Sequence, residues 1–456
     1  MTTEPPNTTF DLLTRIAGDP QMFEVFSERE TVDAWLRTEV ALASAQAELG
    51  IIPRDVSAAI SRVASVDVLD LPRLWREAQV VGYPILPLVR QLDALLPEAY
   101  RGNVHLGATT QDVMDTGLVL QLARASDELA RLLEQLCDEL EQKALEHVGS
   151  IMPGRTHAMH AVPTTFGAKL AVYLSEFARH HARARAARAE VATLSLYGAG
   201  GTSAAYGPHA ARLRRLVAHE LALRVDDVPW HVSRGRLAEW AQTWVLTIGS
   251  AARLAREIID LSRNEISEVA ERDGHHRGAS STMPQKRNPI TSEALVGNSI
   301  VAGALSAAIA RIMEPGHERA AGEWQAEWFL LPHIATLAAS SLKGAIDIVC
   351  GMRVDTANMR ANLGLDEGLI MAEAYMIGLA APLGRERAHD VVYEAVGIAR
   401  TERIPLFSAL ERTVPPAQLG ALRALEPAAY VGEAERIVDA AVETWRAARE
   451  EVAANV

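Results

Sequence analysis

Between residues 118 and 140 the apolar side chains Leu118, Leu122, Ala125, Leu129, Leu132, Leu136 and Leu140 recur in steps of three or four. A helix of 3.6 residues per turn converts that spacing into one stripe, the seam of a long helix packing lengthwise on others. Comparable stretches run over residues 165–188, over 294–312, and over 242–271, where Val245, Ile248, Ala252, Ile259 and Ile266 share a side. Faces of that length exceed what a small globular core can cover, so several together imply a bundle and an all-α chain. The abundance of Ala, Leu, Arg and Glu and the scarcity of aromatic residues agree with long helices rather than sheets.

The flanks read differently. Before Val104, Pro53, Pro72, Pro84, Pro87 and Pro97 predict shorter helices. After Gly351, Gly364, Gly368, Pro382, Gly384, Pro405 and Pro415 again punctuate short segments. The chain of 456 residues is therefore expected to comprise an N-terminal helical domain (1–104), a central bundle (105–351) and a C-terminal helical domain (352–456).

A formal net charge of −13 argues against a nucleic-acid surface but does not forbid a small anionic substrate, which a local cluster of cations would decide. Cys137 and Cys350 are far apart and lack the spacing of a disulfide framework or zinc site. Met1-Thr2-Thr3-Glu4-Pro5-Pro6 carries no basic region followed by an apolar run, and no stretch reads as a membrane span. The expectation is a cytoplasmic protein without nucleic-acid or membrane partners.

Three polar clusters interrupt the helical sequence. His105-Leu106-Gly107-Ala108-Thr109-Thr110-Gln111-Asp112 precedes the long seam. There, Thr109 and Thr110 could offer hydroxyls and a helix N-terminus to a carboxylate, while the plainer reading is that Thr110 or Asp112 caps the helix. Gly154-Arg155-Thr156-His157-Ala158-Met159-His160 precedes the next helical stretch. Two histidines three residues apart lack the acidic or thiol neighbours of a metal set, and His157 is open to a structural or a proton-transfer role. The third cluster, Gly274-His275-His276-Arg277-Gly278-Ala279-Ser280-Ser281-Thr282-Met283-Pro284-Gln285-Lys286-Arg287-Asn288-Pro289, combines small residues, serines, Lys286 and Asn288 in what reads as a mobile loop able to fold over an anion. A serine base would need its alkoxide stabilised by loop amides and a cation such as Lys286. Composition alone favours a flexible linker, but Met283-Pro284-Gln285-Lys286-Arg287-Asn288-Pro289 has no low-complexity character. Gly198-Ala199-Gly200-Gly201-Thr202 lacks the lysine of a phosphate loop and reads as a turn.

The run Ser280-Ser281-Thr282-Met283-Pro284-Gln285-Lys286-Arg287-Asn288-Pro289 resembles the signature of the fumarase/aspartase superfamily, Ser-Ser-x-Met-Pro-x-Lys-x-Asn-Pro, and the other two clusters sit where that superfamily carries its remaining active-site regions. Within it, the chain is most similar to the 3-carboxy-cis,cis-muconate cycloisomerase-like branch, through Met22 to Ser27, Leu49 to Pro53, Pro229-Trp230-His231, Glu314 to Trp328 and Gly384 to His389. The resemblance implies the three-domain fumarase/aspartase fold and a homotetramer in which three subunits complete each site. It implies no cofactor and no metal, and a small dicarboxylate as substrate.

Departures shape the substrate expectation. Cycloisomerases of the branch usually carry a bulky or amide residue at the position of His157, whereas Gly154-Arg155-Thr156-His157 resembles lyases that release fumarate, adenylosuccinate lyase among them. The His-Asp motif that adenylosuccinate lyase carries upstream is replaced by Val81-Gly82-Tyr83-Pro84-Ile85-Leu86-Pro87. Ser233-Arg234-Gly235-Arg236 stands where relatives tend to have Gln-Arg-Asp-Arg, and Ala279 replaces a glycine. The expected activity is elimination from a substituted succinate to give fumarate, with an amine, amino acid or nitro leaving group; nitrosuccinate is one specific candidate. By resemblance Ser280 is the base and His157 orients or protonates the leaving group. Thr109, Thr110, Lys286, Asn288 and Arg234 bind substrate. The alternatives are 3-carboxy-cis,cis-muconate cycloisomerisation, adenylosuccinate lyase, or a non-catalytic scaffold of the same fold.

Overall fold

The chain, described from a computed structural model over residues 12–454, is almost wholly helical. The segment Met1 to Pro6 lies outside the described residues. The elements that matter below are, in chain order, α1 (Glu28–Glu48), α2 (Thr110–Glu146), β1 (Ile151–Thr156), β2 (Met159–Thr165), α3 (Phe166–Val191), α4 (Gly235–Leu261), β3 (Val269–Ala270), α5 (Ile290–Arg311), α6 (Glu323–Gly351), β4 (Arg353–Val354), α7 (Ala372–Leu383), α8 (Arg385–Glu402) and α9 (Ala434–Ala454).

The anticipated seam is the buried stripe of α2, where Leu122, Ala125, Leu129, Leu136 and Leu140 have no exposed surface. The second stretch stops earlier than its periodicity suggests. Helix α4 ends at Leu261, and Ser267 takes a left-handed φ of 52°, so Ile266 belongs to the turn before β3 rather than to the helical face. The N-terminal prolines start helices instead of breaking them: Pro53 and Pro84 occupy N-caps and Pro72 a first turn, positions whose N–H has no intrahelical partner. One helix in that flank, α1, is longer than the prolines suggest, at 21 residues. Helix α6, apolar around most of its surface, has no stripe from which a period could be read.

Contacts divide the chain into two compact units. The first comprises, among the described residues, 12–132, 180–249 and 297–343. Its core includes Trp35, Leu36, Ile60, Leu74, Leu88, Leu92 and Val113. Helix α1 lies hard against the start of α2, where a Cβ on Gly117 would sit 2.6 Å from the Trp35 ring. The second unit comprises, among the described residues, 133–179, 250–296 and 344–454. Its C-terminal part packs Ile370, Leu379, Val391, Ala395, Leu406 and Leu410 between α7, α8 and their neighbours, and Gly384, at φ 79°, makes the turn from α7 to α8. Among the described residues the strands form two antiparallel pairs, β1 with β2 and β3 with β4, beside the isolated bridges Thr193–Arg224 and Ala279–Arg287.

The expectation of no membrane-length stretch needs correction. Helices α5 and α6 are both long and apolar enough to cross a bilayer by length and composition. In α6 61% of the apolar window is buried within the protein, as in a core helix, whereas in α5 the figure is 22%. Ile300 and Val301 of α5 stand exposed.

Candidate active site

The first unit supplies the threonine cluster. Thr109 and Thr110 are half-buried at the N-terminus of α2. The capping role expected of Asp112 is real: it accepts the Thr109 N–H at 3.0 Å, the reciprocal bond of a capping box. It does considerably more. Fully buried, the same carboxylate accepts the N–H groups of Tyr197 (2.8 Å) and Gly198 (2.9 Å) and meets His231 Nε2 at 2.8 Å. The glycine-rich stretch read as a turn is thereby pinned to the helix start. Four donors on one buried carboxylate leave the threonine backbone little freedom.

Beside it lies a cation that sequence reasoning missed. Arg319 donates to Thr109 Oγ1 (3.2 Å), to Gln111 Oε1 (2.9 Å) and to the Ala199 carbonyl (3.3 Å). Its only sequence signal was membership of His317-Glu318-Arg319, more than 200 residues from Thr109. A guanidinium on a threonine hydroxyl at a helix N-terminus makes a positive, donor-rich corner suited to a carboxylate.

Arg234 requires correction as a substrate ligand. Its side chain is 1% exposed, and all five N–H groups are engaged. Two reach Asp115 (2.8 and 3.1 Å), two reach Glu327, and one shares the Trp230 carbonyl as a long contact. Trp324 Nε1 and Gln111 Nε2 also donate to Asp115. Arg234 is a strut that fixes α2 to α4 and α6 inside this unit, and it has no donor left for a ligand. Burial pushes the Glu327 carboxyl above the usual carboxylate range, with Arg234 opposing it. Burial alone would lower the Arg234 pKa, but Asp115 and Glu327 outweigh it and hold it up. His105, also half-buried, pairs with Glu39 at 2.6 Å, and that carboxylate raises its pKa against the opposing effect of burial.

The second unit supplies the other two clusters. The residues around His157 form a β-hairpin rather than the bare lead-in to a helix. Thr156 pairs with Met159, leaving His157 and Ala158 as a two-residue turn with φ of 50° and 65°. Two positive φ values mark the primed turn that suits the strand twist, usually filled by Asn or Gly. His157 bears that strain at an exposed tip. The hairpin base is rigid: Arg155 grips the buried Glu268 through two bonds (2.9 and 2.6 Å), and Asn362 donates to the same carboxylate at 2.7 Å. Gly154 is required at the bulge, since a Cβ there would meet the Val162 carbonyl at 2.7 Å.

The serine loop joins β3 to α5. It is closed at its neck, contrary to a wholly mobile clamp. Asn288 N–H donates to the Gly278 carbonyl at 2.8 Å, Ala279 bridges Arg287, and a Cβ on Gly278, at φ 63°, would collide with the Asn288 carbonyl. Arg277 anchors the base through Thr291 (2.6 Å) and Asp347 (2.5 Å). Beyond the neck the tip is mostly exposed and folds on itself. The N–H groups of Thr282 (3.3 Å) and Met283 (3.1 Å) both donate to Ser280 Oγ. Lys286 and Asn288 line a cavity of about 720 Å³ whose wall mixes Arg263, Arg272 and Arg277 with Glu265, Glu271, Asp273 and Glu293, and those three arginines are already ion-paired.

A family model described as Lyase matches residues 15–302. The chain is 39% identical over 450 residues to 3-carboxy-cis,cis-muconate cycloisomerase of Pseudomonas aeruginosa, covering 97% of both chains. It is 36% identical to N-acetyl-S-(2-succino)cysteine lyase of Dickeya dadantii, covering 92% of this chain and 94% of that one. The crystal structure of 3-carboxy-cis,cis-muconate lactonizing enzyme from Pseudomonas putida superposes with a TM-score of 0.90 at 38% identity, over 96% of this chain and 99% of that chain. The chain is therefore an enzyme of the fumarase/aspartase superfamily and belongs, within its lyase family, to the cycloisomerase-like branch.

Proposed function

We propose that this enzyme moves a proton at the carbon next to a carboxylate while a bond at the neighbouring carbon is made or broken, and that Ser280 is the proton carrier. The observation that carries the reading is the pair of amides on Ser280 Oγ. Two N–H donors aimed at one hydroxyl oxygen favour its ionised form, which an unaided serine scarcely reaches near neutral pH. Lys286 adds positive charge from the same loop. The aci-carboxylate formed or consumed in either direction is the high-energy species, so donors waiting for its charge lower the barrier most. Thr109, Thr110, Lys286 and Asn288 are the proposed carboxylate ligands.

The first substrate to test is 3-carboxy-cis,cis-muconate. Relatives bearing the cycloisomerase name cover nearly the whole chain, and they favour this reaction over the elimination expected from His157. In that direction a carboxylate of the substrate adds across a double bond, the C–O bond closes a lactone, and the resulting aci-carboxylate takes the proton held by Ser280. Nothing is oxidised or reduced.

Elimination from a 2-substituted succinate is the second reading, favoured by His157 and by similarity to the succinocysteine lyases. Here Ser280 takes the proton, the substituent departs with its bonding pair, and His157 protonates it. Nitrosuccinate is the narrow case in which nitrite leaves without needing that proton. Incubation with carboxymuconate and with a panel of substituted succinates separates the two. Falling muconate absorbance supports the first, rising fumarate absorbance the second, and silence on all substrates refutes both.

The three clusters are proposed to complete one site through a homotetramer. The exposed apolar side chains of α5, Ile300 at 66% and Val301 at 44%, support such an assembly. Sedimentation at a monomer mass would contradict it.

A further inference from the structure

The first unit holds an apolar cavity of about 550 Å³ that no step above uses. Phe26, Trp35, Trp75, Met114, Trp324 and Trp328 are among its lining residues. The volume lies in the range of small-molecule pockets. Its rings present both edges and faces: Trp324 and Trp328 meet at 81° with centroids 5.1 Å apart, and Trp35 and Trp75 at 69° and 6.2 Å. A planar aromatic guest can therefore stack on one indole and meet the edge of another.

Two polar atoms in that wall are out of solvent and without a partner, Trp328 Nε1 and Gln325 Oε1. The amide nitrogen of Gln325 is spent on Tyr83 Oη at 3.2 Å, so its carbonyl is the free end. An unmet buried donor or acceptor is destabilising until a partner satisfies it. The wall offers one of each, and a hydroxyl can accept from Trp328 or donate to Gln325. The wall also contains Asp115, which with Glu327 sets two carboxylates against the single guanidinium of Arg234. Among the described residues the lining contains no lysine or arginine, and burying an unpaired carboxylate against an apolar wall is costly, so the anionic substrates considered above do not belong here.

We infer that this cavity is a second ligand site, separate from the serine and threonine clusters, for an uncharged planar aromatic molecule bearing a hydroxyl group. A guest against Trp324 bears on the residue that donates to Asp115 at 3.0 Å. From Asp115, Gln111 and Arg319 continue the hydrogen bonds to Thr109.

Tryptophan fluorescence of the full-length protein, titrated with phenol, toluene and benzoate, tests the assignment. Saturable binding of phenol at least tenfold tighter than toluene, with no response to benzoate, is expected. Trp328→Phe should erase the preference for phenol, and Met114→Trp should fill the cavity and abolish binding. The site is refuted if phenol gives no saturable change, if toluene or benzoate binds equally well, or if Trp328→Phe leaves the preference intact. Because Trp328→Phe keeps the ring, it decides the matter even where Met114→Trp does not fold.

Discussion

The threonine corner and the serine loop are built on opposite principles. Around Thr109 a buried network fixes the surroundings: Asp112 holds two chain segments and His231, and Arg234 holds Asp115 and Glu327. Beyond its neck, the tip carrying Ser280 is held chiefly by its own amides. A corner that only has to receive a carboxylate can be set in the folded chain. A group that must approach a reacting carbon profits from a tip that can adjust, provided its neck is pinned.

The largest effect that would break this contrast is on stability. Arg234→Met leaves two buried carboxylates without their partner and should cost roughly 3–5 kcal/mol, read from urea midpoints. An unchanged midpoint would mean the corner is not held by that strut. In the exposed hairpin the cost should fall on turnover instead. His157→Asn should lower kcat for a succinate with a basic leaving group by about a hundredfold, while carboxymuconate turnover stays within a few-fold. Equal loss on both substrates would remove the leaving-group role. Smaller again, Thr109→Val deletes the hydroxyl that Arg319 holds and should raise KM about tenfold with little change in kcat. A pure kcat effect would place Thr109 in the chemical step.

The smallest effect concerns pH. The Glu327 pKa is raised above that of an unfolded glutamate. Its contribution is therefore fully present below the ordinary carboxylate range and is lost as pH rises through the raised value. The stability of wild type relative to Glu327→Gln should decline over that interval. A difference that does not vary with pH would contradict a raised pKa.

Most of the helical architecture was legible because amphipathic stripes declare themselves locally, as Leu122 to Leu140 did for α2. What escaped was of two kinds. Helix α6 is apolar on most sides, so it has no period to read, and the hairpin at His157 puts residues without turn character into a primed turn. The buried network escaped for another reason. Asp115, Arg234 and Glu327 are separated by roughly a hundred residues each, and an ion pair closed by tertiary folding leaves no trace in spacing. From sequence Arg234 therefore reads as a ligand, whereas Arg319, which does reach Thr109, carries no local signal. The serine loop was visible because its chemistry is written in consecutive residues.

The central claim is that a self-held loop delivers the proton carrier, and Ser280→Ala tests it most directly. Ser280 is only half-buried, on a loop tip, so the substitution should leave the melting temperature and circular dichroism at wild-type values, while turnover of whichever substrate the wild type accepts falls by about a thousandfold or more. A folded Ser280→Ala enzyme that turns over at a rate near wild type would contradict the account.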